Sequence, residues 1–144
     1  MKRRASVLFE VLAPSLSSQP GVARDALISP NAIEFPNIAV DDLTNDSWDV
    51  VPAIVDFGRR RLKISFLDSG TFSDVPDNGF NGYRITFRPP LGKSLSGVKL
   101  PAKSNTAGIP LSRFSVDSNV IFVNVDNLPF AYGQGFSLTY DPIY

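Results

Sequence analysis

"RLKISFL", residues 61–67, decides the fold class. Leu62, Ile64 and Phe66 fall on one side of an extended chain and Arg61, Lys63 and Ser65 on the other, the period-two pattern of a strand with one dry and one wet face. A helix would scatter the same residues around its circumference. "YRITF", residues 83–87, repeats the alternation with Tyr83, Ile85 and Phe87. "NVIFVNV", residues 119–125, is β-branched and apolar on both faces, as a central strand is, and "GFSLTY", residues 135–140, alternates Phe136, Leu138 and Tyr140. Weaker strand signals lie at 6–12, 32–40, 48–56, 97–100 and 113–116. Between the runs stand turn-forming groups, "DSGTFSDVPDNGFNG", "RPPLGKS" and "AKSNTAGIP", whose Gly, Pro, Asn and Asp supply the backbone angles a reversal needs.

Twelve prolines spread along 144 residues argue against long helices, because each removes an amide donor and clashes with the preceding turn. A helical turn near 22–27 is the one helix expected. Many short strands at this spacing predict an all-β domain, an antiparallel two-sheet β-sandwich, with a jelly roll as one form and a barrel as the nearest rival. The expected core combines Leu62, Ile64 and Phe66 with Tyr83, Ile85 and Phe87, then Val98, Phe114, Val120, Phe122 and Val125, then Phe136 and Leu138. Trp48 is expected to close one end.

Ahead of the strands the chain begins "MKRRASVLFEVLAPSLS", residues 1–17. Basic residues before an apolar run suggest an export signal, yet Glu10 interrupts Val7, Leu8, Phe9, Val11 and Leu12 and no convincing small-x-small cleavage site follows before Pro14. No run approaches the 20 or so apolar residues of a membrane-spanning helix. Residues 1–35 are therefore expected to form an extended N-terminal arm or edge strand, held by their own domain or by a neighbouring subunit, with residues 36–144 as the sandwich. Val7, Phe9 and Val11 alternate with their neighbours and suit strand addition to an adjacent sheet.

Several chemistries are excluded by what the chain lacks. It has no cysteine and no histidine, so disulfides, thiolate nucleophiles, Ser-His-Asp triads and His-ligated metals are out. Its only glutamates are Glu10 and Glu34; the aspartates sit mostly in turns, where they cap their own backbone. A glycosidase pair across a cleft has no candidates there, and neither a GxxxxGK phosphate loop nor a GxSxG elbow occurs. Catalysis and a cofactor are not expected. Fourteen cations balance fourteen anions, which argues against a nucleic-acid binder. Locally the charges separate: residues 36–58 carry five aspartates and no cation, and Arg59, Arg60, Arg61 and Lys63 follow together. Opposed patches of this kind guide docking and register between copies.

Two stretches, "GFNGYRITF" at 79–87 and "SRFSVDSNVIFVNVDNL" at 112–128, resemble small β-sandwich modules that recur in large secreted bacterial proteins, some with calcium-binding repeats. The resemblance covers about the second half of the chain. It implies a non-catalytic accessory module in which Phe80, Asn81 and Gly82 form a structural turn. From the residues themselves, Asp68, Asp74, Asp77, Asn78 and Asn81 gather oxygen donors of the kind calcium accepts, but their spacing is not that of an EF-hand and ordinary turn chemistry explains them. Phe130, Tyr132, Tyr140 and Tyr144 are the candidates for a sugar-stacking platform.

Two functions follow as expectations. The first is a non-enzymatic structural subunit of an assembled particle, such as a phage or virus decoration, cement or tail protein. It would sit in the virion and contact other copies or other structural subunits through Val7, Phe9, Val11, Arg59, Arg60 and Arg61, with neither nucleic acid nor membrane as partner. The alternative is an extracellular β-sandwich module for carbohydrate or surface attachment, stabilised by calcium if the Asp/Asn loop holds an ion.

Overall fold

A computed structural model of the chain describes residues 5–12, 22–29, 31–39, 50–75 and 79–144. The strands are β1 (Ser6–Leu12), β2 (Val22–Leu27), β3 (Ala53–Phe57), β4 (Arg61–Phe66), β5 (Gly70–Thr71), β6 (Gly82–Arg88), β7 (Phe114–Asp117), β8 (Val120–Asn124), β9 (Pro129–Phe130) and β10 (Gly135–Thr139). Helix among the described residues amounts to two single 3₁₀ turns, Ala102–Ser104 and Leu111–Arg113, each preceded by a proline at the φ its ring imposes. No helix of the described residues is long and apolar enough to cross a membrane. All strand pairs are antiparallel, in a five-stranded sheet of order β2-β1-β6-β8-β7, a three-stranded sheet of order β10-β4-β3 and a two-stranded pair β5-β9.

Among its described residues the leading segment belongs to the body's own five-stranded sheet, with β2 as an edge strand of that sheet. β1 lies inside the five-stranded sheet, running beside β6 from Ser6↔Arg88 to Leu12↔Gly82 and beside β2 from Ser6↔Leu27 to Val11↔Val22. Val7 and Phe9 are fully buried and Val11 nearly so, which corrects their assignment as contacts with a neighbour. The alternation that suits them to an adjacent sheet is satisfied within their own; with hydrogen-bonded strands on both sides, β1 has no free edge to offer. The helical turn expected at 22–27 is likewise a strand. A single turn is marginal in water, and six residues paired against β1 satisfy more of the backbone.

Inward from these strands the two larger sheets share one core. β4 contributes Leu62, Ile64 and Phe66, and β6 contributes Tyr83, Ile85 and Phe87, all buried as the alternation predicts. Rings from one sheet meet rings from the other: Phe57 on β3 stands edge-on to Phe87 on β6 at 5.7 Å, and Phe114 on β7 meets Phe136 on β10 at 5.4 Å. Such edge-to-face pairs add about 0.5–1.5 kcal/mol beyond their buried area. β8 holds an interior position, but Ile121 and Val123 face the core, while Val120 and Phe122 lie half-buried on the opposite side. A strand apolar on both faces does not fix its own parity; the register does, setting Ile121 against Ile85 and Val123 against Tyr83. Val98 and Phe114 pack at the margin of the core, and Trp48 lies outside the described residues.

Two weaker strand expectations reduce to single bridges. Phe35 exchanges both backbone hydrogen bonds with Val55 on β3, and past Pro36 one further bond, from the Ile38 amide to Ala53 O, holds the segment to that strand. Lys99 does the same with Thr139 on β10, and Gly97 at φ +65° breaks the extended chain before it.

Two carboxylates serve this framework. Glu10, 5% exposed on the outer face of the five-stranded sheet, accepts Nε and Nη2 of Arg84 at 2.7 Å each from the directly opposite position on β6. Glu34 accepts the Ser29 and Phe57 amides, one on each oxygen, at 2.7 Å, tying the segment before Phe35 to the end of β3. Burial raises the Glu34 pKa above its ordinary value, and the nearby Asp56 charge adds to the rise. A carboxyl that holds its proton more tightly folded than unfolded contributes most at pH below the ordinary Glu range, and that contribution is lost as pH rises through the folded midpoint. A ¹³C carboxyl titration should therefore place Glu34 above ordinary glutamates, and Glu34→Gln should flatten this part of the stability profile. A midpoint at or below the ordinary value contradicts the assignment.

Candidate functional site

Past Phe66 the chain turns, Asp68 Oδ1 accepting the Ser69 amide at 2.8 Å, and re-forms as β5 against β9. A Cβ at Gly70 would stand 3.1 Å from Cζ of Phe130, tight enough that the ring would have to give way by a few tenths of an ångström. The ring lies against the strand instead, within 5.8 Å of Phe66 and 4.6 Å of Phe72. Beyond Phe72 the loop is tied to the end of β8. Phe72 donates its amide to Leu128 O, and the Val75 amide reaches Asp126 Oδ1 at 2.6 Å. Asn81 Nδ2 donates to Ser73 O at 2.9 Å, while Asn124 Oδ1 accepts the amides of Asn81 and Asp126. These Asx side chains replace backbone partners that an irregular loop cannot supply.

Gly82 is already in β6 rather than in a turn, and a Cβ on it would lie 1.9 Å from the Val123 carbonyl oxygen. The glycine of "FNG" is thus required by the close approach of β8. Of the oxygen donors considered for calcium, Asp77 and Asn78 lie outside the described residues. Among the described residues no group of three or more carboxylates is placed to hold a metal ion.

Between this tied loop and the ends of β1 and β6 opens a cleft of about 610 Å³. Val11, Phe72, Tyr83 and Phe130 form its apolar wall, with the stretch 50–52 opposite, and Ser69, Thr71, Ser73 and Asn81 give it polar edges. That volume is within the usual range for small-ligand sites, about 300–1,000 Å³. The Tyr83 hydroxyl is buried without a hydrogen-bond partner among the described residues, and burial drives its pKa well up. Tyr132, 70% exposed, donates its backbone amide to Ser69 Oγ at 2.9 Å, which fixes it beside the cleft's edge.

The four candidate platform aromatics therefore divide. Phe130 lines the cleft and Tyr132 is tied by its backbone to the lining residue Ser69, whereas Tyr140 is buried in the core, its hydroxyl donating to Gly58 O at 2.8 Å, and Tyr144 lies beside Arg59. Tyr83 and Phe72 were not legible as site residues, because nothing local separates a core ring from one lining a wall.

Arg59 and Arg60 form the turn between β3 and β4, and with Arg61 and Lys63 they are exposed. Arg59 Nε donates to the Tyr144 carbonyl, and the carbonyls of Arg59 and Arg60 accept the amides of Ile143 and Tyr140. These cations stand at the start of β4 and the cleft at its end. The aspartates 41, 42, 46 and 49 of the acidic stretch lie outside the described residues. No protein-family model, curated protein or solved structure matches this chain.

Proposed function

We propose that this chain is a non-catalytic binding module, a two-layer β-sandwich in an extracellular setting that takes carbohydrate in the cleft beside Tyr132. The observation that carries this is a cleft with an apolar wall and hydroxyl and amide edges, next to which an exposed aromatic residue, Tyr132, is tied through its backbone amide to the lining residue Ser69. A sugar ring presents an apolar face of C–H groups and a rim of hydroxyls, and aromatic rings with polar neighbours meet both. The core shared by the five- and three-stranded sheets supports the sandwich description. A binding rather than a hydrolytic role is favoured because one carboxylate, Asp68, is among the described residues lining the cleft. Glu10 and Glu34 are held by Arg84 and by backbone amides elsewhere.

The test is a glycan array followed by calorimetry. Tyr132→Ala is expected to weaken binding at least tenfold, about 1.4 kcal/mol, with an unchanged circular dichroism spectrum. An array without a single retained glycan ends the proposal. A structural subunit of an assembled particle keeps one support, the exposed cations Arg60, Arg61 and Lys63, which form no ion pair with the described residues. Salt-dependent self-association in native mass spectrometry would favour that role.

A further inference from the structure

We infer that the cleft discriminates by charge, preferring amino sugars to neutral ones and turning acidic sugars away; this rests on the carbohydrate reading above. The described residues of the loop from Asp68 to Val75 carry Asp68 and Asp74 and no Lys or Arg. Asp68 lines the cleft, and Asp74 is exposed between two of its lining residues, Ser73 and Val75. No Lys or Arg is among the described residues that line it. Arg113 directs Nη1 to the Asn124 and Asp126 carbonyls.

The chain's densest group of cations is too remote to offset this. Arg61 opens β4 and Phe66 closes it, so at about 3.3 Å per residue the two lie roughly 17 Å apart. The Debye length at 0.1 M salt is about 10 Å. The lip at Asp68 and Asp74 therefore keeps its negative potential in ordinary buffers. A carboxylate or sulfate carried on a sugar meets like charge there. An ammonium meets Asp68 instead, an opposite charge on the cleft's own lining.

The probes are matched: a tetramer of glucosamine, the same tetramer N-acetylated, and a tetramer of galacturonic acid, titrated by calorimetry at 20 and 300 mM NaCl. At low salt the glucosamine tetramer should bind at least threefold more tightly than its acetylated form, and the acidic tetramer should not bind. High salt should erase the preference, and so should Asp68→Asn, which retains an oxygen for the Ser69 amide. Binding of the acidic tetramer, or equal affinities for the first two that neither salt nor Asp68→Asn changes, overturns the charge inference while the carbohydrate reading stands. Silence from all three tetramers and across the glycan array overturns both.

Discussion

Removal of residues 1–12 is expected to leave no cooperatively folding protein. An arm laid on a neighbour would detach without harm to its own domain. β1 cannot, because it joins β2 to β6 and buries Val7, Phe9 and Leu12 completely. Burying one such side chain is worth about 1.5–3 kcal/mol, and the backbone partners of two strands go with it. A whole domain has about 5–15 kcal/mol of net stability, so the loss consumes most or all of it. The deletion variant should show collapsed dispersion in a ¹H–¹⁵N spectrum and no sharp urea transition. Phe9→Ala alone, which strips a ring packed against Phe35 and Tyr83 at 5.7 and 5.3 Å, should cost about 3–5 kcal/mol. If the truncated chain instead unfolds with an unchanged midpoint, β1 contributes nothing to the body and its place in the sheet is wrong.

Gly135→Ala should be nearly as damaging, although it adds one methyl group. A Cβ at Gly135 would stand 1.9 Å from the Ile64 carbonyl oxygen and 3.0 Å from Ser65 Cα, and both atoms belong to the backbone of β4. No rotamer relieves such a clash. β10 must move off β4, giving up the register that opposes Gly135 to Ser65 and Phe136 to Ile64. Overpacking that a core absorbs by shifting side chains costs about 1–3 kcal/mol; here the backbone itself must give, and a loss of about 3 kcal/mol or more is expected in urea unfolding. Gly58→Ala is the control. Its Cβ would meet the Arg61 carbonyl oxygen at 3.4 Å, an ordinary contact, and its midpoint should barely move. Similar losses from the two substitutions would show that the cost is not due to this approach.

What the amino-acid order revealed depended on how locally the information was written. β4 and β6 were legible because charged or hydroxyl residues mark the wet face at every second position, and Leu62, Ile64, Tyr83 and Ile85 occupy the dry one. β8 was legible as a strand but not in parity, since Val120 and Phe122 are as apolar as Ile121 and Val123. β2 was misread as a helical turn because "VARDAL" places Arg24 and Asp25 side by side and shows no clean period; only its pairing with β1 makes it extended. Val7, Phe9 and Val11 were recognised as a strand face, yet which sheet they enter is settled by β6, whose contribution is not written in their neighbourhood. The cleft was harder still. Val11, Val50, Phe72, Tyr83 and Phe130 come from segments far apart in the chain, and the aromatic cluster near the C-terminus hinted at only part of it. The basic cluster was visible at once, but the direction of β4 was needed to set it at the end of that strand away from the cleft.

The position of β1 also governs the order of events during synthesis. Its partner β6 follows it by about seventy residues, which a ribosome adding about 5–20 residues per second takes several seconds to deliver. Until then Val7, Phe9 and Val11 remain wetted on a chain whose neighbour has not been made, and such long-range pairing slows folding in general. The nascent polypeptide must keep this segment from premature association, so its yield in cells should depend on chaperone supply more steeply than its finished stability suggests.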